Sequence, residues 1–195
     1  GVPDTSPAMR IMKQRSAAEL LRRRRRVIKA VSQYADLTLI NGGGTGSLET
    51  TGKDTHLTEL AAGSGLFVPT LFDNYDAFES RPAAFFALSV VRKPTPKMAT
   101  CFGGGYIASG PAGENRVPKP VWPEKLEYVG TEGAGEVQTP LKGDGAESLN
   151  VGDRVLFRHA KAGEMCERFN SAALVGPDGS VTIVPTYRGE GKNFG

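Results

Sequence analysis

Two glycine-rich segments carry hydroxyl groups at spacings that suit the binding of an anion. The first is Asn41-Gly42-Gly43-Gly44-Thr45-Gly46-Ser47, and the second is Ala61-Ala62-Gly63-Ser64-Gly65. Because glycine has no Cβ, such a backbone can turn its N–H groups inward around an anion, and Thr45 and Ser47 add hydroxyl donors. The residues that we predict to bind the anion are Gly43, Gly44, Thr45, Gly46, Ser47, Gly63 and Ser64. The alternative for the same composition is a tight turn without a ligand.

Two common phosphate-binding motifs do not fit the first segment. A P-loop ends in Gly-Lys-Ser/Thr, and no such triplet follows the glycines. A dinucleotide-binding turn is followed by a helix and, about 20 residues on, by an acidic residue for the ribose, and this arrangement cannot be read from the sequence. The glycine content of this segment alone therefore leaves two interpretations open, an anion site of another kind and a tight barrel turn without a ligand.

The elements around the glycine segments indicate an α/β arrangement. A capping box at Ser16 and Glu19, with apolar residues at three- and four-residue spacing, predicts a helix over residues 16–35 with one buried stripe, preceded by a loop. Short apolar runs at 37–40 and 57–60 have strand length, and each is followed by a glycine segment. Neighbouring strands of a barrel would bring both segments to one C-terminal face, where the last loops often bind phosphate.

The second half of the chain is predicted to be β-rich. Short apolar runs alternate with turns of Gly, Pro and Asp, and Pro177-Asp178-Gly179 is a hairpin signal. These changes predict a boundary near residue 80, with domains over residues 1–80 and 81–195. The runs that we predict as strands are 85–91, 98–102, 127–129, 154–159 and 180–184.

Composition argues against two classes of function. The formal net charge is only +3, and much of the excess lies in the run from Arg22 to Arg26. No second basic cluster accompanies that run, so a solvated helix face is favoured over nucleic-acid binding. No apolar stretch approaches the ~20 residues of a membrane span, and two cysteines suit a reducing compartment, so we expect a cytoplasmic protein.

Several motifs together resemble one group of pyridoxal-phosphate enzymes. NGGGTGS at residues 41–47 and TELAAGS at residues 58–64 are similar to the signature pair of the D-threonine aldolase and D-serine dehydratase family. The segment 151–155 leading to His159 resembles a strand in the β domain of that family. A bacterial subgroup, the amino acid deaminase/aldolases, is the closest match, through residues 103–110, 132–137, 159–164 and 187–191.

The resemblance implies an α/β plus β fold. Residues 1–80 would form the last strands and helices of an alanine-racemase-type (β/α)8 barrel that binds pyridoxal phosphate, and 81–195 would form a β-rich, D-serine-dehydratase-like C-terminal domain. The implied activity is that of a lyase on amino acids, by deamination through dehydration or by aldol cleavage. Racemisation, a non-catalytic phosphate-binding module and an interaction domain are the alternatives.

The resemblance also implies partners beyond the amino acid substrate. The lysine that holds the cofactor in this family would precede the chain, which opens at Gly1 without a methionine. We therefore expect a C-terminal half that is inactive alone, that joins the N-terminal half of the same enzyme, and that forms a homodimer.

His159 and Lys161 are the candidate catalytic residues. The family has a His-x-Cys metal pair, and the position of the cysteine is Lys161 here. Because an ammonium group has no electron pair to donate and Cys166 lies seven residues beyond the histidine, we expect no bound metal. A hydrogen-bonded strand histidine is the alternative role for His159, and His56 is expected to be an ordinary loop residue.

Overall fold

The computed structural model describes residues 4–111, 113–130 and 132–194. The chain divides into two units, unit 1 (Gly1–Arg81) and unit 2 (Pro82–Gly195). Unit 1 contains a long helix and the two glycine segments, and unit 2 contains the antiparallel sheet.

Unit 1 begins with helix α1 (Pro7–Val31), which starts nine residues before the predicted start at residue 16. Ser6 is the N-cap, because its Oγ accepts a hydrogen bond from the backbone N–H of Met9 at 3.3 Å. Pro7 follows in the first turn of the helix, where a backbone N–H would have no partner within the helix, so the absence of this group in proline costs nothing. The predicted capping box at Ser16 is therefore wrong. The expected buried stripe is wrong too, since no residue of α1 is buried.

Two short parallel strands follow α1. Strand β1 (Asn41–Gly42) pairs with β2 (Glu59–Leu60) in the register Asn41↔Glu59 and Gly42↔Leu60. Helix α2 (Leu48–Thr51) lies between them in sequence. The predicted strand over residues 37–40 is wrong, because those residues form no strand and β1 begins at Asn41, the first residue of the first glycine segment. Of the predicted strand over 57–60, only Glu59 and Leu60 form β2. The parallel direction of the two strands puts the residues that follow them at the same edge of the pair.

The buried part of unit 1 lies in the segments that flank and follow the glycine residues. Its buried apolar side chains are Val68, Phe72 and Tyr75, and its buried polar side chains are Thr45, Thr51, Asp54 and Thr70. Phe72, Tyr75 and Phe78 form an aromatic cluster with ring centroids 5.3–6.0 Å apart. The buried side chains of this unit thus lie around the loops, and α1 contributes none of them.

Unit 2 consists mainly of β-strands, which are β3 (Phe86–Thr95), β4 (Met98–Phe102), β5 (Lys119–Trp122), β6 (Glu127–Tyr128), β7 (Gln138–Lys142), β8 (Arg154–Arg158), β9 (Ser171–Val175) and β10 (Val181–Pro185). Six of them form an antiparallel sheet with the strand order β5-β8-β3-β4-β7-β6, and β9 and β10 form a separate antiparallel hairpin. The hairpin turn contains the predicted Pro-Asp-Gly signal, with Gly179 at a φ of 80°. The short helix α3 (Ala162–Arg168) follows β8.

The core of unit 2 follows from the alternation of side chains along its strands. Phe86, Leu88 and Val90 are buried at every second position of β3. Phe86 stacks on Phe157 of β8, with ring centroids 5.4 Å apart and planes at 9°. The other buried members of the cluster are Ala99, Cys101, Leu141, Ala146, Leu149 and Val155. This core holds the end of β8, and therefore the segment that carries His159 and Lys161.

Candidate functional site

The two glycine segments lie against each other, as their positions after parallel strands predicted. Thr45 Oγ1 and Ser64 Oγ are 3.1 Å apart and share a hydrogen bond. A Cβ on Gly65 would lie only 3.0 Å from Thr45 Oγ1, so the second segment approaches the first as closely as glycine allows. Two hydroxyl groups from different loops therefore meet at one point of the strand edge.

Three glycines of these segments have different surroundings. Gly43 has a φ of 113°, which favours glycine, and a Cβ there would lie 3.3 Å from the carbonyl oxygen of Ala61. At Gly44, which has a φ of 155°, and at Gly63, no heavy atom of the described residues beyond the two chain neighbours lies within 4 Å of where a Cβ would be. The backbone at Gly44 and Gly63 is thus open to a ligand that approaches it directly.

Gly46 is packed against a residue that the sequence did not point to. A Cβ on Gly46 would lie 2.6 Å from Cε1 and 3.0 Å from Oη of Tyr75. Glycine at this position therefore lets the tyrosine ring lie directly on the loop. No spacing rule marks Tyr75 in the sequence, because it lies 29 positions after Gly46 in an irregular connection.

Ser47 has a different role in the structure from Thr45 and Ser64. Its Oγ donates to the carbonyl of Gly44 at 3.2 Å and accepts from Thr51 Oγ1 at 3.2 Å. Its single hydroxyl proton therefore holds the loop together in this arrangement. Helix α2 has only four residues, which is too short for its dipole to add much to anion binding.

His56 belongs to a hydrogen-bonded network and is not an isolated loop residue. The buried carboxylate of Asp54 accepts from Arg24 Nη1 at 2.6 Å and contacts His56 Nδ1 at 3.1 Å. Burial alone would raise the pKa of Asp54, but the hydrogen bonds from Arg24 and His56 outweigh it and lower that pKa. The network joins the turn before β2 to α1, and it also reaches the first glycine segment, because Arg24 Nη2 lies 3.3 Å from where a Cβ of Gly42 would be.

His159 directly follows β8 and is completely buried, with 0% of its surface exposed. Burial, with a smaller contribution from the charge of Arg158, lowers the pKa of His159 to about 4 from its ordinary value of 6.5. The imidazole is therefore neutral near pH 7.

Lys161 lies two residues further on and is partly exposed. Its Nζ donates to the carbonyl oxygen of Ser109 at 2.7 Å and to Ser109 Oγ at 2.9 Å. Glu164 Oε1 accepts from the backbone N–H groups of Ala160 and Lys161, at 2.8 and 3.2 Å, and so fixes the turn that joins β8 to α3. The candidate catalytic residues thus sit on a well-ordered turn of unit 2, whereas the candidate anion ligands all belong to unit 1.

The donor set around His159 does not suit a metal ion. Lys161 uses its ammonium protons on Ser109 and has no electron pair to offer. Cys166 lies on α3 and is half-buried, and burial raises the pKa of its thiol, which disfavours the thiolate that binds zinc. In the part of the chain that the structure describes, no three His, Cys, Asp or Glu side chains are grouped so that they could hold a metal ion.

Comparison with known proteins finds solved structures of the same fold. D-threonine aldolase from Filomicrobium marinum is 21% identical, with a TM-score of 0.72 over 89% of this chain and 48% of that protein. D-threo-3-hydroxyaspartate dehydratase from a Delftia species is 18% identical, with a TM-score of 0.60 over 92% and 51%. An alanine-racemase-like protein from Idiomarina loihiensis is 13% identical, with a TM-score of 0.57 over 80% and 45%.

These likenesses confirm the predicted fold, in which the end of an alanine-racemase-type barrel is followed by a β-rich C-terminal domain. The chain spans about half the length of the proteins that it matches. The likeness to D-threonine aldolase and its dehydratase relatives is a likeness of fold, and two of these proteins are enzymes by name. No protein-family model and no curated protein sequence matches the chain. Across the described ranges, no helix has both the length and the apolar character of a membrane span.

Proposed function

We propose that unit 1 is the phosphate-binding part of a pyridoxal-phosphate enzyme that acts on amino acids. The observation that supports this most strongly is the meeting of two glycine loops at one strand edge, with Thr45 and Ser64 hydroxyls 3.1 Å apart. The C-terminal edge of barrel strands is where phosphate groups of ligands are held in this kind of fold. The proposed ligands are Gly43, Gly44, Thr45, Gly46, Gly63 and Ser64. Ser47, which the sequence also suggested as a ligand, donates its hydroxyl proton to the carbonyl of Gly44 and supports the shape of the loop.

The cofactor phosphate fits these residues on chemical grounds. The open backbone at Gly44 and Gly63 allows close approach, and two neutral hydroxyl groups can donate to phosphate oxygens without a change of charge. When bound, pyridoxal phosphate supplies an acceptor for the electrons released when a bond to the substrate Cα breaks. Unit 1 would hold the phosphate end and so fix the position of the ring.

The proposed activity is that of a lyase, either dehydration with deamination or aldol cleavage of a β-hydroxy amino acid. In this proposal, neutral His159 accepts a proton from the substrate and later returns it, and the ammonium group of Lys161 pairs with an acidic group of the substrate. The ordered turn between β8 and α3 supports these roles by limiting the movement of both residues. Amino acid racemisation would use the same phosphate site.

We also propose that unit 1 packs against further strands and helices of a barrel, supplied by an N-terminal half of the enzyme. Leu20 and Val27 of α1 are 53% and 61% exposed, and β1 pairs only with β2 among the described residues. Exposed apolar surface and short unpaired strands favour association. Hydrophobic-dye binding or self-association of the 195-residue chain is the expected result, and homodimerisation through this surface is the alternative. A dye-negative monomer that melts in two states contradicts both.

A non-catalytic phosphate-binding module is the second candidate, because the glycine loops and hydroxyl groups would serve any phosphate-bearing ligand. Calorimetric titration separates the two. Pyridoxine 5′-phosphate is the informative probe, since it has the phosphate and the ring but no aldehyde to react with surface lysines. We expect it to bind more tightly than inorganic phosphate, and pyridoxine without phosphate to bind weakly. A module for other phosphates would prefer a nucleotide or would not distinguish pyridoxine 5′-phosphate from inorganic phosphate.

A matched pair of glycine variants tests whether the loops form the site. Gly63 and Gly130 both have open space at the Cβ position and neither requires a positive φ, so valine should be tolerated structurally at both. Gly63→Val is expected to abolish binding of pyridoxine 5′-phosphate, and Gly130→Val in unit 2 is expected to leave it unchanged. Equal binding by the wild type and Gly63→Val would refute the proposed site.

A further inference from the structure

The hydroxyl group of Tyr75 has no hydrogen-bond partner among the residues that the structure describes. The side chain of this residue is buried, with 6% of its surface exposed. A buried hydroxyl without a partner destabilises a protein. Such a group is available to form a hydrogen bond with a bound ligand.

The position of the ring is fixed by its neighbours. Phe72 meets it edge-on, with centroids 5.3 Å apart at 70°, and Phe78 lies 6.0 Å away. Lys13 Nζ is 4.8 Å from the ring centroid, and the same ammonium group is paired with Asp4 at 2.8 Å. These contacts leave the tyrosine little freedom to turn its hydroxyl elsewhere.

The hydroxyl group reaches the first glycine loop at the residue after Thr45. A Cβ at Gly46 would lie 3.0 Å from Tyr75 Oη, so the phenol touches the loop backbone directly. Thr45 is the residue whose hydroxyl meets Ser64. The Tyr75 hydroxyl and the hydrogen bond between Thr45 and Ser64 therefore lie beside two adjacent residues of one loop, Gly46 and Thr45.

We infer that Tyr75 is a further ligand of the phosphate group, donating its Oη proton to an oxygen of the anion held by Thr45 and Ser64. This inference rests on the phosphate site proposed above. Burial, together with the charges of Asp4 and Glu49, raises the pKa of the phenol, so Tyr75 stays protonated and acts as a donor at neutral pH. This arrangement explains the glycine at position 46, because any side chain there would keep the Tyr75 hydroxyl away from the loop.

Tyr75→Phe tests the inference on the full 195-residue chain. Removal of an unpaired buried hydroxyl should leave the melting temperature of the ligand-free chain unchanged or raised. Loss of a hydrogen bond to a charged phosphate should weaken the binding of inorganic phosphate and of pyridoxine 5′-phosphate by about tenfold, which corresponds to about 1.4 kcal/mol. Both affinities are measured by calorimetry, and melting is followed by circular dichroism.

Tyr128→Phe is the matched control. Tyr128 Oη donates to the carbonyl of Pro118 at 2.6 Å in unit 2, so its removal should lower the melting temperature and leave phosphate affinity unchanged. If Tyr75→Phe binds both probes as tightly as the wild type while Gly63→Val does not bind, the role of Tyr75 is refuted and the phosphate site stands. If the wild type binds neither probe, both proposals fail.

Discussion

One buried imidazole should make the chain lose stability as the pH falls from 7 to 4. His159 has a pKa of about 4 in the folded chain because it is buried, against an ordinary value of 6.5. The unfolded chain therefore binds a proton between these two values where the folded chain does not, and stability rises with pH across that window. The effect of His159 on the free energy of unfolding does not change with pH above about pH 6.5. At pH 4 and below, it has lowered the free energy of unfolding by about 3 kcal/mol.

Chemical denaturation at a series of pH values from 7.5 to 4 measures this effect. His159→Gln keeps a polar side chain of similar size but cannot take up a proton, so its stability should change less than that of the wild type across the window. The difference between the two pH dependences should reach about 3 kcal/mol at pH 4. Comparison with the variant removes the contribution of carboxyl groups, which titrate in both proteins.

An exposed apolar position provides the control. Val137 is 70% exposed and does not titrate, so Val137→Ala should keep the pH dependence of the wild type. Parallel pH curves for the wild type and His159→Gln would refute the reasoning. They would mean that the imidazole is accessible to protons in the folded chain, and the neutral state assumed for its proposed catalytic role would then lack support.

Three further predictions concern stability. In a double-mutant cycle, Thr45→Val and Ser64→Ala should show a coupling energy of about 0.5–1.5 kcal/mol, because the two hydroxyl groups share one hydrogen bond. Urea denaturation of the ligand-free chain measures this energy, and additive effects of the two substitutions would contradict the contact. Asp54→Ala should lower the stability by about 1.5–3 kcal/mol near neutral pH, because charge-assisted bonds to Arg24 are lost. Because the pKa of Asp54 is lowered, that difference should be full above about pH 4 and disappear as the pH falls through the folded pKa, as thermal melts would report. Leu141→Ala, at a site with 0% exposure in the sheet, should lower the stability by about 2–5 kcal/mol by denaturant titration, whereas Val137→Ala at 70% exposure should have little effect.

The sequence predicted the parts of the fold that depend on local chemistry. The strand-to-glycine pattern predicted two loops at one edge, and the contact between Thr45 and Ser64 agrees with it. Short apolar runs between turn residues predicted four of the six strands of the sheet, β3, β4, β6 and β8, and missed β5 and β7. Pro-Asp-Gly predicted the β9–β10 turn. Each of these signals is read from neighbouring residues, which is why a single sequence suffices.

Features set by contacts between distant residues were missed. The start of α1 is fixed by Ser6 and Pro7, but Ser16 and Glu19 offer the same capping chemistry further along, and nothing local distinguishes the two sites. Helix α3 was missed because its turn depends on the buried carboxylate of Glu164. The pairing of Asp54 with Arg24 spans 30 residues, so no local pattern indicates it.

The glycines of the two loops separate into those that the fold explains and those that it does not. A Cβ would lie 3.3 Å or less from other atoms of the protein at four of them, which are Gly42, Gly43, Gly46 and Gly65. Gly63 has open space and needs no positive φ, so the fold would accept a larger residue there. Glycine loses more conformational freedom on folding than other residues, which costs about 0.5–1 kcal/mol relative to alanine within helices and strands. The stability of the fold therefore does not explain the glycine at position 63. The direct approach of a ligand to the backbone explains it, because any side chain at position 63 would occupy the open space beside Ser64.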